Sequence, residues 1–199
     1  MTAYSVNWDY RCPFARNAHE HVIEALRGGA DWDVRFVPFS LGQVHVAEGE
    51  ADIWERPTDD KGLLALQAGV VVRDQFPDRF FDAHLALFAL RHDEGHHLED
   101  ESEIRRVLSD AGVDADAVFA EIATGKPLEQ VRNEHTASAE DHEAWGVPTF
   151  VRDDAAVFVR VMSRPAGDAA YAQRTIQRIV DLLVEAPELN EFKHTSLKR

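Results

Sequence analysis

Apolar and polar positions alternate from the first residues of the chain. Tyr4, Val6 and Trp8 stand against Ser5 and Asn7, the period-two pattern of a strand over residues 3–8. The alternation breaks at Asp9, Tyr10 and Arg11. Pro13 follows Cys12, and proline suits the first helical position, where its missing N–H would have had no partner. From Pro13 to Arg27 the residues Phe14, Ala18, Val22, Ile23, Ala25 and Leu26 recur at helical spacing, and Gly28 with Gly29 marks the stop. Alternation returns over residues 34–39. Strand, helix and strand of these lengths suit a parallel crossover.

From about residue 60 to 145 the period becomes helical. Leu63, Leu64, Leu66, Val70 and Val71 mark one helix, and Phe80, Phe81, Leu85, Leu87, Phe88 and Leu90 mark a second that starts near Pro77. Ile104, Val107 and Leu108 indicate a third, Val118, Phe119 and Ile122 a fourth, and residues 126–145 a longer, polar fifth. Two β-rich runs follow, 146–151 and 156–161, with Asp153 and Asp154 between them as in a hairpin. A last helix is predicted from Asp168 to Glu185. This order is that of an α/β thioredoxin fold with an inserted all-helical subdomain. Residues 1–59 and 146–199 are expected to form the thioredoxin-like domain, and residues 60–145 the insert.

Composition narrows the function classes. The 199 residues carry 36 Asp plus Glu against 21 Lys plus Arg, a formal charge of −15. Such a charge repels phosphate backbones and anionic lipid, so neither nucleic acid nor membrane is an expected partner. No stretch approaches the roughly 20 apolar residues of a membrane helix, and the first residues do not resemble a secretory signal, so a cytoplasmic location is expected. The single cysteine excludes an internal disulfide and multi-cysteine metal sites. Cys12 acts as a lone thiol.

Cys12 lies where a strand hands over to a helix, so its sulfur would face unpaired N–H groups and the positive end of the helix dipole. Arg16, one turn on, and Arg11 would add positive potential, and Asp9 would oppose it. The expected result is a lowered thiol pKa. The alternative is a cysteine that merely packs as a small hydrophobe.

Residues 9–15, Asp9-Tyr10-Arg11-Cys12-Pro13-Phe14-Ala15, resemble the active-site segment of DsbA-like thioredoxin-fold proteins, which in the cytoplasmic branch reads Asp-x-x-Cys-Pro-Trp-Cys. Gly146-Val147-Pro148-Thr149-Phe150 resembles the family's second signature, a loop whose proline is cis and faces the active-site cysteine. The tail Glu191-Phe192-Lys193-His194-Thr195 is similar to tails in the mycothiol-dependent nitroreductase-like branch. The resemblance implies Cys12 as nucleophile and substrate contacts from Pro13, Phe14, Val147 and Pro148, with the Val147 backbone exposed for strand-like pairing. Asp9 and Arg16 would support them, and Phe14 would either stack on an aromatic substrate or pack against the insert. Ala15 departs from the pattern, because it occupies the place of the second, resolving cysteine. A dithiol cycle is unavailable, and a mixed disulfide or adduct at Cys12 would be released by an outside thiol, mycothiol or glutathione. Two other readings stay open: Cys12 activates a bound small thiol, as in the related kappa-class glutathione transferases and chromene-carboxylate isomerases, or the protein is a non-catalytic binding module. No tightly bound cofactor is expected. Dimers occur among the relatives, so a homodimer stays open.

Other clusters carry less. His92 and His96 have helical metal-ligand spacing, but Gly95 between them predicts a polar loop, and no metal site is assigned. His19 and His21 lie about two turns down the first helix, roughly 10 Å or more from Cys12, and are expected at the surface. The runs Asp59-Asp60, Glu99-Asp100-Glu101 and Glu140-Asp141 read as solvated helix starts and faces. The stripe Phe76, Phe80, Phe81 and Phe88 reads as core.

Overall fold

In a computed structural model that describes residues 1–194, four strands form one sheet in the order β2-β1-β3-β4. They are β1 (Thr2–Trp8), β2 (Trp32–Pro38), β3 (Thr149–Arg152) and β4 (Ala155–Phe158). β1 and β2 are parallel with Val6 opposite Phe36, whereas β3 is antiparallel to β1 and to β4, with Phe150 opposite Val6 and Val157. The helices are α1 (Pro13–Arg27), α2 (Leu41–Val44), α3 (Leu63–Gln75), α4 (Pro77–His92), α5 (Glu101–Asp110), α6 (Ala115–Ile122), α7 (Lys126–His142) and α8 (Ala169–Glu185). All helices from α2 to α7 lie between β2 and β3 in the chain. This is a thioredoxin-like α/β fold with its helical block in the middle of the sequence. The tail resemblance extends to Thr195, which lies outside the described residues.

The alternation of β1 becomes burial: Val6 and Trp8 are fully buried and Tyr4 nearly so. On that face the Tyr4 ring meets Trp32 at 5.9 Å and Phe150 at 6.1 Å, and the Trp32 indole donates to Gln177 of α8 at 2.9 Å. α1 and α8 pack side by side there. The opposite face, with Ser5, Asn7, Val37 and Thr149, is covered by α7 across a cavity of about 90 Å³. The phenylalanine stripe is core: Phe80 and Phe88 are buried, Phe76 and Phe81 are partly so, and Phe80 packs on Phe36 at 5.2 Å and on Trp8 at 6.2 Å. Burying a large apolar side chain of this kind stabilises by roughly 1.5–3 kcal/mol.

The boundaries that moved have local causes. β2 starts at Trp32 because its pairing with β1 extends back to Thr2. β4 stops at Phe158, short of the predicted end at 161, because the Val159 N–H leaves the ladder and donates to the Pro148 carbonyl at 3.1 Å. α7 ends at His142, where Glu143 turns left-handed (φ 51°) and the Ala144 N–H closes on the Ser138 carbonyl. α2 and a 3₁₀ turn at Ile53–Glu55 are too short to show a hydrophobic period. Ser40 caps α2 by accepting the Gly42 N–H at 3.2 Å.

Gly69 in α3 is where the helical block meets the segment leading to Cys12. A Cβ built there would lie 2.4 Å from the Tyr10 hydroxyl, which is buried and cannot swing away. The substitution Gly69→Ala should therefore destabilise the protein by about 1–3 kcal/mol despite alanine's better helix propensity. Equilibrium urea unfolding measures this, and an unchanged or raised midpoint would contradict the close approach.

Candidate active site

β1 ends at Trp8, and the chain turns so that the Cys12 N–H donates to the Asp9 carbonyl at 3.0 Å. Cys12 is then the N-cap of α1, with its sulfur accepting the Ala15 N–H at 3.5 Å and Pro13 in the first turn. Opposite stands the loop before β3, in which the Val147–Pro148 peptide bond is cis. The Cys12 thiol donates to the Val147 carbonyl at 3.3 Å, joining positions 135 residues apart. Asn7 holds that loop at both ends, with its Nδ2 donating to the Gly146 carbonyl at 3.1 Å and its Oδ1 accepting the Thr149 N–H at 2.6 Å. The Thr149 hydroxyl closes the loop on the Gly146 carbonyl at 2.8 Å.

Two expectations about this pair need correction. Val147 is only 2% exposed and its carbonyl already receives the thiol, so its backbone is not open for strand-like pairing as it stands. The thiol pKa is raised, not lowered. Burial at 8% exposure pushes it up, the backbone N–H groups of Ala15 and Phe14 pull it down, the Asp9 carboxylate pushes up and Arg160 pulls down, and burial wins. The helix terminus acts as anticipated, but the sulfur has too little water around it for that to prevail.

The charges assigned to support the thiol are committed elsewhere. Arg16 is buried and pairs with Glu20 at 2.9 Å and with Asp93. Asp9 is fully buried and accepts the Arg11 side chain and backbone N–H and the Leu41 N–H. Arg11 also pairs with Asp60 at 3.0 Å, so Asp60 is a buried partner and not a solvated helix start. The cation that reaches Cys12 is Arg160, which no sequence spacing indicated because it follows β4. Phe14 is half-buried, with the Arg160 guanidinium 5.5 Å from its ring centroid. Pro13 is exposed and Pro148 buried.

His19 and His21 are not at the surface; both are fully buried. His19 Nε2 meets the Asn7 carbonyl at 3.0 Å, His19 Nδ1 meets His84 Nε2 at 2.9 Å, and His84 Nδ1 meets the Tyr10 hydroxyl at 2.7 Å. A carbonyl can only accept, so the direction of the whole chain is fixed: Tyr10 donates to His84, His84 to His19 and His19 to Asn7, with every group neutral. His92 extends the same support by reaching the Tyr10 carbonyl at 2.9 Å, which removes it from the predicted polar loop. His96 lies near Glu94 and Glu103 at the surface, where Arg106 pairs with both carboxylates. Sequence reasoning missed Asn7, Tyr10 and His84 as well as Arg160. His84 stands midway between Phe80 and Phe88 at helical spacing, a polar residue in an apolar stripe, which is the signal that could have found it; Asn7 keeps the polar phase of β1 and Tyr10 the turn, and neither carries such a signal.

Residues 77–165 match the family profile of the DSBA-like thioredoxin domain, a stretch that includes the Val147–Pro148 loop and Arg160 but not Cys12. An uncharacterized protein of Mycobacterium tuberculosis is 26% identical over 171 residues, 85% of this chain and 73% of that protein. Among solved structures, a probable DsbA oxidoreductase from Streptomyces coelicolor superposes with a TM-score of 0.60 at 16% identity, covering 100% of this chain and 94% of the other. DsbA from Pseudomonas aeruginosa gives 0.58 at 18% identity, covering 94% and 85%. The fold is therefore that of DsbA-like thiol-disulfide oxidoreductases.

The buried imidazoles make stability depend on pH. Burial lowers His19 to about 4 and His135 to about 4 and takes His84 well below its ordinary value, His19 and Arg73 adding to the effect on His84. A histidine held neutral by the fold stabilises above its unfolded value near 6.5, and that contribution is lost as pH falls toward the folded value. Between pH 7 and pH 5 each of His19 and His135 should cost about 2 kcal/mol. Urea unfolding at the two pH values should show several kcal/mol of loss at the lower one; equal midpoints would contradict the neutral network.

Proposed function

We propose that the protein performs single-thiol exchange at Cys12. The thiolate attacks one sulfur of a small disulfide, the S–S bond breaks, the other sulfur leaves as a thiolate, and an outside low-molecular-weight thiol, mycothiol or glutathione, releases the mixed disulfide. The reading belongs to a compartment rich in small thiols, the cytoplasm. One observation carries it: the only cysteine caps a helix with its sulfur on the Ala15 N–H and faces the cis-proline loop at 3.3 Å. Ala15, where dithiol members of the family have their second cysteine, is fully buried and leaves no internal thiol to compete.

A second reading, a binding protein with an inert thiol, draws on the raised thiol pKa and on the small exposure of the sulfur. The two differ in what happens when a disulfide arrives. Exchange needs the thiol proton to leave the Val147 carbonyl for solvent, after which the freed carbonyl and the Ala15 N–H flank the attacking sulfur. A thiol of high pKa is the stronger nucleophile once ionised, so the site holds a smaller thiolate fraction but is not unreactive.

Incubation of the full chain with glutathione disulfide or mycothiol disulfide at mildly alkaline pH, read by intact mass, tests the proposal. The native protein should gain one small-thiol moiety that free thiol removes, and Cys12→Ser should gain none. A native protein that stays unmodified, while the urea-unfolded chain is modified, would favour the binding module.

A further inference from the structure

We infer that Arg160 is the anion-recognition residue of the Cys12 site, so that the disulfide meeting this thiol carries a carboxylate close to its reacting sulfur. The inference rests on the single-thiol reading and narrows its substrate class.

The first observation is how Arg160 is held. Its neighbour Val159 donates to the Pro148 carbonyl at 3.1 Å, and its neighbour Val161 accepts the Asn17 side-chain amide of α1 at 2.9 Å. The backbone at Arg160 is thus fastened on one side to the cis-proline loop and on the other to the helix that Cys12 caps. Its side chain nevertheless remains exposed.

The second is what surrounds the guanidinium. It lies 5.5 Å from the Phe14 ring centroid and 5.6 Å from that of Phe158, and Phe158 continues the row to Trp145 at 4.5 Å. Trp145 is 62% exposed. Aromatic neighbours hold a guanidinium in place without using its in-plane N–H donors, and those donors match a carboxylate bidentately. Among the described residues no carboxylate pairs with Arg160, whereas Arg11 and Arg16 are each bound to two. The exposed Trp145 and the half-buried Phe158 next to it suit the apolar or planar body of the same molecule.

The third is charge. A chain of net −15 repels anions as a whole, so recognition of one at Cys12 needs a local cation. In the exchange, the thiol proton passes to solvent, Cys12 bonds to the nearer sulfur, and the electron pair of the broken S–S bond leaves on the other sulfur. The retained half keeps its carboxylate on Arg160. Glutathione disulfide meets this requirement through its carboxylates.

The test compares two aryl disulfides on the full chain: that of thionitrobenzoate, with one carboxylate per ring, and neutral dipyridyl disulfide. Rates for wild type, Arg160→Gln and Arg160→Lys are each normalised to the same reagent reacting with free cysteine. Arg160→Gln also removes a charge that favours thiolate and slows both reagents, so the ratio of anionic to neutral rate is the readout. Wild type should prefer the anionic reagent by about tenfold over Arg160→Gln, with Arg160→Lys between them and the preference shrinking at high salt. Equal ratios in all three proteins, with both reagents reacting, would overturn the anion site and leave thiol exchange standing. Failure of both reagents to label native Cys12, while labelling the unfolded chain, would overturn the thiol reading and this inference with it.

Discussion

The active site depends on one buried amide. Asn7 uses its side-chain donor and acceptor on the two ends of the cis-proline loop, and its backbone carbonyl takes the last hydrogen bond of the histidine chain. It is only 4% exposed, so each unmade bond would leave a desolvated polar group at a cost of about 1–3 kcal/mol. That penalty fixes the loop relative to β1. The Val147 carbonyl and the Cys12 sulfur inherit their separation from it, because Cys12 hangs from the same strand through the Asp9 turn.

The tension at Cys12 is between burial and a helix terminus. Two backbone N–H groups and Arg160 favour thiolate, while desolvation and the Asp9 carboxylate favour thiol, and the second set prevails. Asp9 cannot be dispensed with, since it anchors Arg11 and the Leu41 N–H and so ties the start of α2 to the active-site turn. The neutral relay from Tyr10 through His84 and His19 to Asn7 works the same way. It couples the helical block to the strand without placing a charge in the core.

Much of this was legible in the residues. The strand alternation of Tyr4, Val6 and Trp8, the proline start and Gly28 stop of α1, and the order of the elements specify the thioredoxin-like topology, because each is a local signal repeated by its neighbours. The placement of Cys12 at a helix start was legible for the same reason. What stayed hidden is what one segment does to another. The resemblance of residues 146–150 implied a loop facing Cys12, but nothing in the sequence shows that the Val147 carbonyl takes the thiol hydrogen bond, that Arg160 reaches Cys12 from beyond β4, or that Arg16 is taken by Asp93. His19 lies on a helix face that β1, β2 and α4 bury together, and the sign of the thiol shift follows from the burial of Cys12, not from the dipole.

Asn7, through the loop it clamps, thus keeps Cys12 a buried, protonated thiol. The pH dependence of Cys12 alkylation in wild type and in Asn7→Ala tests it most directly. The wild-type midpoint should lie above the free-cysteine value of about 8.5, and Asn7→Ala should react faster with a midpoint that moves back toward that value as the loop loosens. A wild-type midpoint below about 7, or identical profiles for the two proteins, would contradict it.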